Sequence, residues 1–248
     1  EEAPEDDFNA NLAETMDERT LKTMAMELMQ EYKKDKLSRK EWEETYIRGL
    51  DLLGTKYTEV TRPFKGASNV AHPLLAEAVT QFQAQAYKEL IPSDGPVRTQ
   101  VVGLNTPMIE QQADRVKEYM NFMLMEEMEE YTSDMDQMLF YLPLSGSTFK
   151  KVYYDAMLAR PVSKFIPAEE LVVPYYASDL KDCERITHVL KMTQNDVVKK
   201  QAAGFYRDIE LTQGNSEPDA LQKKINEIEG IKRTGGDYLH TVLEMHVD

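Results

Sequence analysis

Leu21, Met24, Leu28 and Tyr32 recur at intervals of three and four residues, which predicts one helix over Asp17–Tyr32. Ser38 followed by Glu41 has the form of a capping box, and Trp42, Tyr46, Leu50 and Leu53 supply the stripe of a second helix ending near Gly54. A loop of small and turn-forming residues, Lys65 to Asn69, then leads to a third helix over Pro73–Ile91. Its main stripe is Leu75, Val79, Phe82, Ala86 and Leu90, flanked by Leu74, Ala78 and Ile91. Gln81, Gln83 and Gln85 stand where charges are usual, and Glu77 is its only charge before Lys88. So neutral a helix is expected to be covered by more than its own domain.

Beyond the turn-forming Ile91–Pro96, Val97–Gly103 reads as a short strand. Ile109, Ala113, Val116, Met120, Leu124 and Met128 begin a long helical pattern near Pro107. Tyr131, Met135, Met138 and Leu142 continue it, with a break expected near Thr132-Ser133. After Gly146 the period changes. Ser147–Asp155 and Arg160–Pro167 alternate and predict a β-hairpin, and Arg185–Met192 predicts a third strand. Thr193–Gly204 is a short helix between a cap and a stop; a further helix near Asp219–Glu229 and a last strand from Tyr238 follow. The order predicts an α+β fold: a helix-rich N-terminal half, with a small mixed or antiparallel sheet in the C-terminal half. The expected divisions are an acidic disordered leader over 1–13, a helical arm over 14–54 and one domain over 55–248. The acidic start without Met and an end inside a strand pattern lead us to expect part of a longer chain.

Lys and Arg number 29 against 44 Asp and Glu, a net charge of −15 over 248 residues. That balance argues against tight phosphate binding, which needs clustered cations to release counterions. The densest basic patch is Lys33–Lys40, with Lys33, Lys34, Lys36, Arg39 and Lys40; it reads as a solvated helix junction or as a contact for an acidic group. A single cysteine, Cys183, excludes a disulfide within the chain and fits a reducing compartment. No apolar run reaches transmembrane length.

The chemistry-bearing candidates are few. No dinucleotide fingerprint, P-loop, nucleophile elbow or zinc-protease motif is present. Ser147 and Lys150 match Ser-x-x-Lys but fall in a predicted strand, where residues three apart face opposite ways. His240, Glu244 and His246 share one face of the last strand, as metal ligands or as its polar outer side. His188 is expected to be a buried histidine without a catalytic role, and Asp134 and Asp136 to diverge on a helix. No cofactor and no catalytic constellation is expected.

SNVAHPLLAEAVTQFQAQAYKELIPSDGPVRTQVVG (Ser68–Gly103) and QADRVKEYMNFMLMEEMEEYTSDMDQMLFYLPLSGSTFKKVYYD (Gln112–Asp155) resemble the portal, or head-to-tail connector, proteins of tailed bacteriophages. The long portals of short-tailed phages are the most similar. RPVSKFIPAEELVVPYYASDLKDCERITHVLKM (Arg160–Met192) and AAGFYRDIEL (Ala202–Leu211) extend the likeness, which covers about Lys56 to Leu211. The resemblance implies a homo-oligomeric ring, usually a dodecamer, at one capsid vertex of the virion, assembled in the host cytoplasm. It implies a channel for double-stranded DNA, docking of the terminase large subunit and of tail adaptor proteins, and contact with coat and scaffold proteins. This chain would be the N-terminal half of the wing domain, with the stem and clip elsewhere. On that reading Leu75, Val79, Phe82 and Tyr87 pack between subunits, and the acidic balance lets DNA pass without holding it. The rival readings are an acidic helical adaptor or scaffold module, docking through its Met-rich helix, and an enzyme with a metal at His240 and His246.

Overall fold

The computed structural model describes residues 11–53, 64, 66–67, 72–156, 158–211, 218–228, 230 and 239–247. Residues 1–10 of the leader expected over 1–13, Gly54, and Lys65, Ser68 and Asn69 of the first loop lie outside these; Leu12–Glu14, at the leader's end, forms a short 3-10 turn. The helices are α1 (Glu18–Ser38), α2 (Lys40–Leu53), α3 (Leu74–Leu90), α4 (Pro107–Phe122), α5 (Tyr131–Ser145), α6 (Gln194–Ala202) and α7 (Ala220–Ile228). The strands are β1 (Phe149–Asp155), β2 (Arg160–Ile166), β3 (Leu171–Val172), β4 (Arg185–Thr193) and β5 (Leu239–Val247). β1 and β2 form an antiparallel hairpin; β3-β4-β5 is a separate antiparallel sheet with Val189 opposite Leu243. The fold is α+β, helical in its first half and stranded in its second.

The stripe of α2 faces inward. Tyr46 (2% exposed) and Leu50 meet Leu221 of α7, and Trp42, Ile47, Leu144 and Ile225 close around them. Trp42 stacks on Tyr46 at 5.3 Å and donates its indole N–H to the Ser145 carbonyl at the end of α5. A helix begins where the sequence places its caps: Asp17 accepts from the Thr20 N–H and Thr193 from the Asp196 N–H.

The expected junction between the first two helices differs. α1 runs on to Ser38, and Ser38 does not cap α2 through Glu41; its hydroxyl donates to the Asp35 carbonyl and accepts from the Tyr175 N–H. Arg39 leaves the basic patch altogether. It is buried, donates to the carbonyls of Ala168, Glu169 and Leu171 at 2.8–3.1 Å, and pairs with Glu43. Those carbonyls turn away from strand pairing between β2 and β3, and a guanidinium satisfies several acceptors at once where lysine cannot. Asp35 receives Arg185 of β4, Lys36 pairs with Asp219, and Asp51 pairs with Lys224 of α7. The expected helical arm, over its described residues 14–53, is thus stitched to the strands and helices of the second half.

The strand expected over Val97–Gly103 is irregular chain, with Val102 and Leu104 fully in water. A strand needs a partner to complete its ladder, and here the Asn121 side chain takes both backbone groups of Val97. The break in the long helical pattern comes earlier than Ser133. A π-turn over Met123–Glu127 ends α4, and α5 starts at Tyr131.

α5 also finishes the outer edge of the hairpin. The Ser163 N–H donates to Glu130 and the Phe165 N–H to Asp134, so the edge that β1 leaves open is closed by two carboxylates. Arg160 adds a pair with Glu130 at 2.9 Å. Burial raises the Glu130 carboxyl, but the N–H groups of its own residue and Ser163, with Arg160, outweigh it and hold it below its ordinary value of 4.5. Its stabilisation is therefore complete above pH 4.5 and is lost as pH falls through the lower folded value. Glu130→Gln is expected to cost about 1–2 kcal/mol at neutral pH and to make the loss of stability on acidification below pH 4.5 shallower, as read by urea titrations at successively lower pH.

Candidate functional site

α4 begins well: Thr106 accepts from the Ile109 N–H, and Pro107 occupies the first turn. In its last turn Asn121 grips the 94–97 turn by accepting from the Val97 N–H at 2.9 Å and donating to the Val97 and Asp94 carbonyls. Between these ends none of its residues is buried. Ile109, Val116 and Met120 share one face, widened by Met108 and Tyr119, and all five are exposed; Met108 reaches 69% and Tyr119 63%. Glu110, Asp114, Lys117 and Glu118 take the opposite side. The helix is amphipathic with its apolar stripe turned to water.

Gly95 sets how closely the turn approaches α4. At φ +90° it adopts a conformation that side chains resist, and a Cβ there would lie 2.4 Å from Asn121 Cγ. Gly95→Ala is expected to destabilise by about 2–3 kcal/mol through strain and loss of the Asn121 grip. Thermal melting against wild type measures it; an unchanged midpoint would rule out the anchoring role.

α3 divides its apolar residues. Val79, expected between subunits, is 1% exposed and packs inside the chain where α3 lies on α5. Leu75 and Tyr87 are half-buried on the same side, and Gln83 donates to Asp136 at 2.7 Å. Phe82, with Leu74 and Leu90, is exposed. The inward face is therefore rotated from the stripe read from spacing: it takes in Ala76, Gln83 and Tyr87 and leaves Phe82 and Leu90 outside.

In the basic patch Lys33, Lys34 and Lys40 are exposed; Lys34 lies 3.5 Å from Glu31 and Lys40 3.9 Å from Glu44. Lys36 is half-buried against Asp219, and Arg39 is interior, so three of the five candidates remain on the surface.

The other candidates resolve into structural contacts. Lys150 points to the Ser163 hydroxyl at 3.2 Å and lies over the Tyr131 ring, away from any Ser-x-x-Lys geometry with Ser147. Burial lowers the Lys150 ammonium, with Asp134 and Glu130 opposing. Asp134 and Asp136 diverge, one to Phe165 and the other to Gln83. His188 is buried opposite Glu244, its Nδ1 3.7 Å from that carboxylate. Burial holds His188 below its usual value, Lys151 and Lys164 add to this, and Glu244 opposes it. Glu244 is itself held low because pairing with Lys151 of β1 outweighs its burial, which joins the two sheets. His246 meets Glu244 at 3.2 Å, whereas His240 bonds Gln194. Among the described residues no group of three or more His, Cys, Asp or Glu converges as a metal ligand set. No helix among them is long and apolar enough to cross a membrane.

The capping carboxylates Glu130 and Asp134 and the interior Arg39 carry no sequence signal; each is a charged residue in a charged stretch. The apolar stripe of α4 was visible as a period, but not that the chain leaves it uncovered. Compared with protein-family models and with curated proteins, the chain matches no family and no individual sequence.

Proposed function

We propose that this chain forms part of the wing of a tailed-phage portal subunit, a structural component and not a catalyst. Copies would assemble as a ring at one capsid vertex of the virion, with double-stranded DNA passing through the centre. The terminase large subunit, tail adaptors, coat and scaffold are the partners this role requires. The observation that carries the reading is α4. A helix of 16 residues with none buried gains little from its own hydrogen bonds, since isolated helices of that length are marginal in water. An amphipathic helix held out from the body is stabilised when a neighbour covers its stripe. The exposed Leu74, Phe82 and Leu90 of α3 add to the surface that assembly would cover. The portal-like stretches span the same elements, α3 through β4.

The test is electron microscopy of the intact gene product, with its mass in solution. A particle with a central hole and rotational symmetry is expected. A monodisperse single subunit at micromolar concentration overturns the reading and favours the acidic adaptor.

A further inference from the structure

α1 carries a second uncovered strip. Arg19, Lys22, Met26, Met29, Lys33 and Leu37 follow one another at spacings of three and four, so they line one side of the helix, and all are exposed. Leu21, Leu28 and Tyr32 turn the other side toward the body. Two cations at the N-terminal end are followed by a length carrying Met26, Met29 and Leu37, with Lys33 between the last two. From Met26 to Leu37 that length is about 16 Å at 1.5 Å per residue.

The outer side of α4 has the matching order in reverse. Its apolar stripe from Met108 to Met120 spans about 18 Å, and exposed Glu126, Glu127 and Glu129 follow it. Laid antiparallel with Leu37 opposite Ile109, α1 brings Met29 beside Val116 and Met26 opposite Met120. Arg19 and Lys22 then reach Glu127 and its neighbours. Among the described residues neither Arg19, Lys22 and Lys33 nor these three glutamates form a salt bridge.

α1 rests on α2 and β3, whereas α4 is held through the turn at Met123–Glu127 and by Asn121. Different surfaces of one protomer thus carry the two strips, and a contact between them joins unlike patches. Such a contact repeats head to tail and closes a ring when its rotation allows. The net charge of −15 makes copies repel, so an interface that meets acid with the exposed cations of α1 is favoured over one that meets acid with acid.

We infer that the occupant of the α4 stripe is the α1 strip of the next copy, packed antiparallel in this register. This rests on the ring reading and names its interface. The test uses the full-length protein with paired cysteines, Met26→Cys and Met120→Cys. Cys183, buried, is replaced by Ser. Oxidation is expected to give a ladder of covalent multimers, and neither single variant should give one. Reversal by Arg19→Glu and Lys22→Glu is expected to lower assembly at least tenfold, with recovery when Glu126→Lys and Glu127→Lys are added. Rings that form normally, with no ladder and no effect of reversal, overturn this interface and leave the portal reading intact. A wild-type protein that makes no ring overturns both.

Discussion

Arg39→Met is expected to lower the stability of the intact protein by about 3–5 kcal/mol. The methionine fills much of the same space, so the loss reports the guanidinium itself. Without it the carbonyls of Ala168, Glu169 and Leu171 lose their donor in the interior, and Glu43 loses its partner. The stacking of the charge over Trp42, at 5.3 Å, goes as well. Arg39→Lys is expected to fall between, since an ammonium cannot reach three carbonyls in the same fork. Denaturant titration followed by tryptophan fluorescence suits the measurement, because Trp42, the single tryptophan, lies against the site. A loss under about 1 kcal/mol for Arg39→Met would show the residue to be a surface cation after all.

The second large effect is on assembly. Val116→Asp combined with Met120→Asp is expected to abolish rings while leaving the monomer's stability within about 0.5 kcal/mol, because both residues are exposed in the single chain. In an assembled interface the same two carboxylates would be set against Met29 and Met26 of the next copy and stripped of water there, at several kcal/mol. Sedimentation reads the mass and circular dichroism reads the fold. Rings of unchanged size in the double variant would remove α4 from the interface. Leu139→Asp, at a buried position of α5, serves as the contrasting variant: it should unfold the chain and not merely separate the copies.

Where local chemistry decides a structure, the sequence was enough. The hairpin of β1 and β2 follows from alternation, α6 from Thr193 and Gly204, and the inward stripe of α2 from Trp42, Tyr46 and Leu50. Where distant chain decides, it was not. Val97–Gly103 has the residues of a strand but, among the described residues, no strand beside it. Arg39 lies among lysines in the sequence, and only the carbonyls brought up 129 to 132 positions later draw it inside. Val79 belongs to an apolar stripe that looked available to another subunit, yet it is 1% exposed within the single chain. The candidate surface was partly visible, as a helical period near Pro107 and an unusual number of methionines. Its exposure was not, because periodicity tells which side is oily and says nothing of what lies against it.

The pairs that secure α1 and α2 join residues far apart in order of synthesis. Asp35 waits for Arg185, 150 positions on, and Lys36 for Asp219, 183 positions on. At ordinary translation speeds that interval is about 10–40 s. During it the first two helices have left the ribosome without their polar partners. The newborn chain therefore passes through a period when these two helices lack what secures them, and a chaperone that holds amphipathic helices would find its substrate there.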